Sequence, residues 1–76
     1  MMLLEFVSIP EIEKANTLWF DGVFMSSRVE NQAVLHLFKM DGFFVEATYN
    51  PITETLSGYH PFTNKRLLLP YLDGLI

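Results

Sequence analysis

Two apolar runs, AVLHLFKM and FFVEATYN, meet at Asp41-Gly42, and this junction restricts the chain more than any other feature. Runs rich in β-branched and aromatic residues favour extended backbone. Asp-Gly between two of them is the strongest short-range hairpin signal, because a two-residue type I′ turn needs positive φ at both central positions. Such a loop sets Met40 opposite Phe43, Phe38 opposite Val45, His36 opposite Ala47 and Val34 opposite Tyr49. Those eight share one strongly apolar face. The other face receives Lys39 beside Phe44, Leu37 beside Glu46 and Leu35 beside Thr48, and it is mixed. One register thus separates a core face from a mixed face.

The neighbouring segments extend the hairpin in both directions. Val23 to Val29 alternates, and Glu30-Asn31-Gln32 is a polar turn. Strict alternation places Val23, Met25, Ser27 and Val29 on the core face, and Phe24, Ser26 and Arg28 on the mixed face. Asn50-Pro51-Ile52-Thr53 is a turn with Asn first and Pro second. A fourth strand follows over Glu54 to Phe62, with Leu56, Gly58 and His60 facing the core and Thr55, Ser57 and Tyr59 facing out. Pro61 cannot donate to a ladder, so this strand ends there or lies at an edge.

Ser8 and Glu11 have capping-box spacing and Pro10 suits a first turn, so a helix is predicted from Pro10 to Asp21. Gly22 supplies a left-handed end. Ile9, Ile12, Ala15, Leu18 and Trp19 form its apolar stripe. Met1 to Val7 is apolar and reads either as an extra strand or as a tail on the core. After Phe62, Thr63 and Asn64 can cap a helix carrying Leu67, Leu68, Tyr71 and Leu72. Pro70 makes it bent, or two short turns, and Asp73-Gly74 ends it ahead of Leu75 and Ile76. The fold predicted is α+β over residues 1–76 as one domain: a four-stranded antiparallel meander in order 1-2-3-4, with an N-terminal helix and a short, bent C-terminal helix on one face.

Composition narrows the function classes. The chain has 76 residues and no cysteine, so disulfides, thiolate catalysis and cysteine-based metal sites are excluded. Its net charge is −4 without a basic run, which argues against nucleic acid as a partner. No window reaches the length of a membrane span, and the start lacks the basic region of a signal peptide, so a cytoplasmic location is expected. Apolar residues make up 50% of the chain and charged ones 18%, which leaves little charge to cover a surface. Burial of apolar surface against another chain accounts for that best.

No catalytic constellation emerges. His36 falls near mid-strand, opposite Ala47, and His60 opposite Phe43 at the other end of the hairpin; with no neighbouring carboxylates on that face, no metal or other cofactor is expected. Glu46 could act as a base, but no nucleophile or partner acid stands beside it, and pairing with Lys39 or Arg28 is the plainer role. Ser26, Ser27 and Ser57 have no evident His–Asp relay. An enzyme is therefore not predicted. Phe24, Arg28, Leu35, Leu37, Phe44, Glu46 and Tyr59 gather on the mixed face with the composition of an interface, for a homodimer or a protein partner. In the alternative, the tail or residues 1–7 cover that face. A second candidate is a small-molecule pocket between sheet and helix near Trp19, Ser27 and His36.

Across most of the chain, Phe44-Val45-Glu46, Tyr49, Asn50-Pro51, Phe62 and Pro70-Tyr71-Leu72, with Trp19 and Gly22, form a pattern similar to short uncharacterised bacterial proteins of a Bacteroidetes type. The resemblance implies a stand-alone small domain and brings no catalytic residues with it.

Overall fold

The central hairpin takes the predicted register. In a computed structural model, which describes residues 1–72, strands β1 (Val23–Glu30), β2 (Ala33–Lys39), β3 (Phe44–Asn50) and β4 (Thr55–Phe62) form one antiparallel sheet in order β1-β2-β3-β4. Val34 pairs with Tyr49, His36 with Ala47 and Phe38 with Val45. The turn chemistry is distributed differently from the expectation. At Asp41-Gly42 only the glycine has positive φ, at 86°, and Met40 N–H donates to the Phe43 carbonyl at 2.8 Å. The two-residue loop with positive φ at both positions lies at Asn31 (49°) and Gln32 (69°), between the paired Glu30 and Ala33.

Two helices cover part of the core face, α1 (Leu3–Ser8) and α2 (Glu11–Asp21). Phe6 and Leu18 are fully buried against Phe38, Met40, Phe43, Val45, Ala47 and Leu56. The first segment is thus neither strand nor tail. Its first turn is held by the Glu5 carboxylate, which accepts from Met2 N–H at 2.9 Å. Ser8 donates its hydroxyl to the Leu4 carbonyl, so the expected Ser8–Glu11 box is absent and Pro10 occupies the cap of α2. Gly22 is extended rather than left-handed, with φ −91° and ψ 165°. Space is what it provides: a Cβ there would lie 2.7 Å from the Leu18 carbonyl oxygen and 3.0 Å from Met40 Sδ.

Two bulges change which residues share a face. In β1, Phe24 pairs with Phe38 and Ser26 with Leu37, so Met25 is the extra residue. Phe24 therefore lies on the core face, and Val23 and Met25 on the mixed face, the reverse of strict alternation. In β4, Ser57 pairs with Thr48 and His60 with Glu46, leaving Gly58 and Tyr59 opposite Ala47. Gly58 has φ +59°, the left-handed conformation such a bulge needs. Tyr59 consequently faces the core, while His60 and Phe62 face the mixed side.

The chain then makes a 3₁₀ turn, Lys65–Leu68, and a short helix α3, Leu69–Leu72, with Asn64 Oδ1 accepting from Arg66 N–H at 3.0 Å. Two short turns joined near Pro70 are what the proline predicts. Their position departs from the expectation that both helices share one face. Tyr71 is buried with Leu37 and Phe62 on the mixed face, opposite α1 and α2. The Asp73-Gly74 stop and the apolar pair Leu75 and Ile76 lie outside the described residues.

Candidate functional site

The mixed face carries a polar cluster closed over by the chain's own tail. Tyr71 donates its hydroxyl to Glu46 Oε2 at 2.6 Å, and Arg28 Nη2 reaches the same oxygen at 3.4 Å and Glu30 at 2.8 Å. The guanidinium sits 5.2 Å from the centre of the Tyr71 ring. Burial raises the pKa of the Tyr71 hydroxyl far above its ordinary value, and the neighbouring Glu46 carboxylate raises it further. Glu46 is thus engaged from two sides, by Arg28 rather than Lys39. Leu37 lies under this arrangement at 3% exposure, and Phe44 stacks on Phe62 at 5.7 Å.

Of the seven residues expected to form an interface here, Arg28, Leu35, Leu37, Phe44 and Glu46 do share the mixed face. Phe24 and Tyr59 do not, because the bulges turn both to the other side. Tyr59 packs edge-on to Phe6 and donates its hydroxyl to the Leu56 carbonyl at 3.0 Å. The centre of the mixed face is therefore interior.

An open aromatic surface lies on the other side of the sheet. Four strands about 4.8 Å apart and up to eight residues long make a face of roughly 19 by 27 Å. An eleven-residue helix spans only about 16 Å and a six-residue one about 9 Å. Those helices pack chiefly over β4, with α2 also reaching β1. Next to them, Trp19 and Phe24 stand edge-on to the buried Phe38, with ring centres 5.4 and 5.7 Å away. Trp19 remains 52% exposed, Phe24 48% and Val29 70%. Ile12 is 81% exposed rather than in the core, and its seven-residue spacing places it on the Trp19 side of α2.

His36 belongs to the same surface. Its ring stacks on Tyr49 at 4.4 Å and meets Phe24 edge-on at 5.0 Å. Its Nδ1 is buried without a hydrogen-bond partner, and burial lowers its pKa, so the imidazole is neutral near pH 7. Trp19, Ser27 and His36 thus share a face, with Ser27 paired across the ladder to His36. Trp19 and His36 both pack on Phe38, with ring centres 5.4 and 6.4 Å away. What they form is a platform.

His60 lies across the sheet from His36, stacked on Phe62, and the described residues contain no group of three metal-ligating side chains. No helix among them is long and apolar enough to cross a membrane. Compared with protein-family models, curated proteins and solved structures, the chain matches none.

Proposed function

We propose that this chain is a protein-association domain that pairs with a second copy of itself through the platform of Trp19, Phe24, Val29 and His36. The observation that carries the reading is that Trp19 and Phe24 pack edge-on against the buried Phe38 yet stay about half exposed. Pre-ordered aromatics lose little conformational entropy when covered, and Trp and Tyr are the commonest anchors of interfaces. None of the four side chains is charged near pH 7. A chain of net charge −4 repels its own copy, so a charge-free surface is the one it can most readily turn towards another. A fully covered aromatic side chain buries roughly 150–250 Å². Two half-exposed rings with Val29 and Ile12 then bury several hundred Å² per copy, at the low end of specific interfaces, where weak and transient contacts lie. Binding rather than catalysis is the assignment, since Glu46, the acid at the centre of the sheet, is held by Tyr71 and Arg28. The absence of cysteine suits a reducing compartment, and a cytoplasmic location belongs to the same proposal.

Light scattering across the micromolar range tests this reading. The mass should rise from 8.8 kDa towards twice that value. Ile12→Lys with Val29→Lys, at two exposed positions, should hold the chain monomeric. A monomer at every concentration, or a dimer that survives both substitutions, overturns it.

A further inference from the structure

Two clefts adjoin and share Lys39 and Phe44, the first on the mixed face and the second round the end of the central hairpin, where Met40, Gly42 and Phe43 also line it. The first, of about 200 Å³, is walled by apolar side chains of Met25, Leu37, Phe44, Leu68 and Leu72, with Tyr71 also lining it. The second, of about 340 Å³, is more polar and holds Lys65 and Thr63 together with Lys39. Neither is lined by an acidic residue; Asp41, in the adjoining turn, lines neither. The distribution of charge singles out this place. The chain has five Lys and Arg residues. Lys14 pairs with Glu11, and Arg28 with Glu30 and Glu46. Among the described residues Lys39, Lys65 and Arg66 have no ion pair, and two of those three line the joined clefts. In a protein with an excess of acids, two ammonium groups with no ion pair among the described residues, beside an apolar cleft that no described acid lines, form a local site for an anion with an apolar body.

We propose that the joined clefts bind a small amphipathic carboxylate, its apolar chain in the first cleft and its carboxylate between Lys39 and Lys65. A cleft of about 200 Å³, open along one side, has room for a short alkyl chain rather than a long lipid tail. That length matches a medium-chain fatty carboxylate. Apolar contact with Leu68, Phe44 and Met25 supplies most of the affinity, and the two ammonium groups select the sign of the head. The first cleft lies on the face opposite the proposed dimer surface, and the site stands without that surface.

Octanoate below its micellar range is the probe, followed by backbone amide shifts on the full chain. Saturable shifts at Met25, Leu37, Phe44 and Leu68 are expected, with acetate, which lacks the chain, at least tenfold weaker. Octylammonium, with the same chain and the opposite head, should bind at least tenfold more weakly than octanoate. Lys39→Gln with Lys65→Gln should weaken octanoate about tenfold, a few-fold for each exposed ammonium–carboxylate contact, without moving the unfolding midpoint. No saturable response to octanoate overturns the proposal. So does equal binding of octylammonium, an unweakened double variant, or shifts confined to the Trp19 face. Loss of dimerisation leaves every one of these readouts intact, so the two proposals fail separately.

Discussion

Tyr71 donates its hydroxyl to Glu46 across 2.6 Å, joining two residues 25 apart in the chain and pinning the C-terminal turn to the middle of β3. Arg28 completes the contact from β1, so three elements meet at one carboxylate oxygen. That meeting covers the centre of the mixed face around Leu37 and leaves the aromatic platform as the open apolar surface beside the N-terminal helices.

Removing the hydroxyl alone tests the pin. Tyr71→Phe keeps the buried ring and deletes a hydrogen bond to a charged group, which costs about 2 kcal/mol. Tyr71→Ala also empties the space above Leu37 and Phe62 and costs about 4 kcal/mol. Urea unfolding should rank wild type, Phe and Ala in that order.

The same hydroxyl sets an alkaline limit. Its pKa is raised in the fold above the ordinary value of about 10, so its contribution to stability is complete below that pH and is lost as pH rises beyond it. The stability gap between wild type and Tyr71→Phe, followed by urea midpoints, should therefore be constant to about pH 9 and shrink above 10.

His36 acts in the opposite sense. Burial lowers its pKa below the unfolded value of about 6.5, so its neutral form stabilises the fold fully above that pH and the contribution is lost as pH falls below it. His36→Phe, which keeps the stack on Tyr49, should flatten the stability profile between about pH 6.5 and 5, where carboxylates are still ionised.

Gly22 tests the tight turn that ends α2. Its φ is ordinary, so Ala meets a steric rather than a conformational obstacle, 2.7 Å from the Leu18 carbonyl oxygen. Met40 can move, but that backbone oxygen cannot. Gly22→Ala should cost about 1–3 kcal/mol, the range for overpacking, with thermal unfolding as the measure.

How far the fold could be read in advance follows from where side-chain alternation carries information. Between Val34 and Tyr49 it does, and the hairpin register came out residue for residue. Val23, Phe24 and Met25 are all apolar, so a one-residue slip there leaves no trace in the pattern and the β1 bulge stays hidden. Gly58 before Tyr59 was a legible bulge signal, outweighed by an uninterrupted count through the strand. In the tail, Asn64 and Pro70 marked two short turns. The side they pack on depended on Tyr71 finding Glu46, a contact between distant residues that no local periodicity encodes. Trp19, Ser27 and His36 read from the sequence as lining a pocket; the exposed aromatic surface that Trp19 and His36 share with Phe24 has no local signal, because it follows from the β1 bulge and from helices too short to cover the sheet.

Trp19 is the chain's one tryptophan, so its emission reports the platform directly. Iodide quenching of Trp19 as protein concentration rises is the most direct measure of self-association through this face. The account predicts an accessible indole in dilute solution that becomes shielded, with emission shifted to the blue, in parallel with the doubling of mass. An indole quenched equally at all concentrations while the mass doubles would place the dimer elsewhere and contradict it.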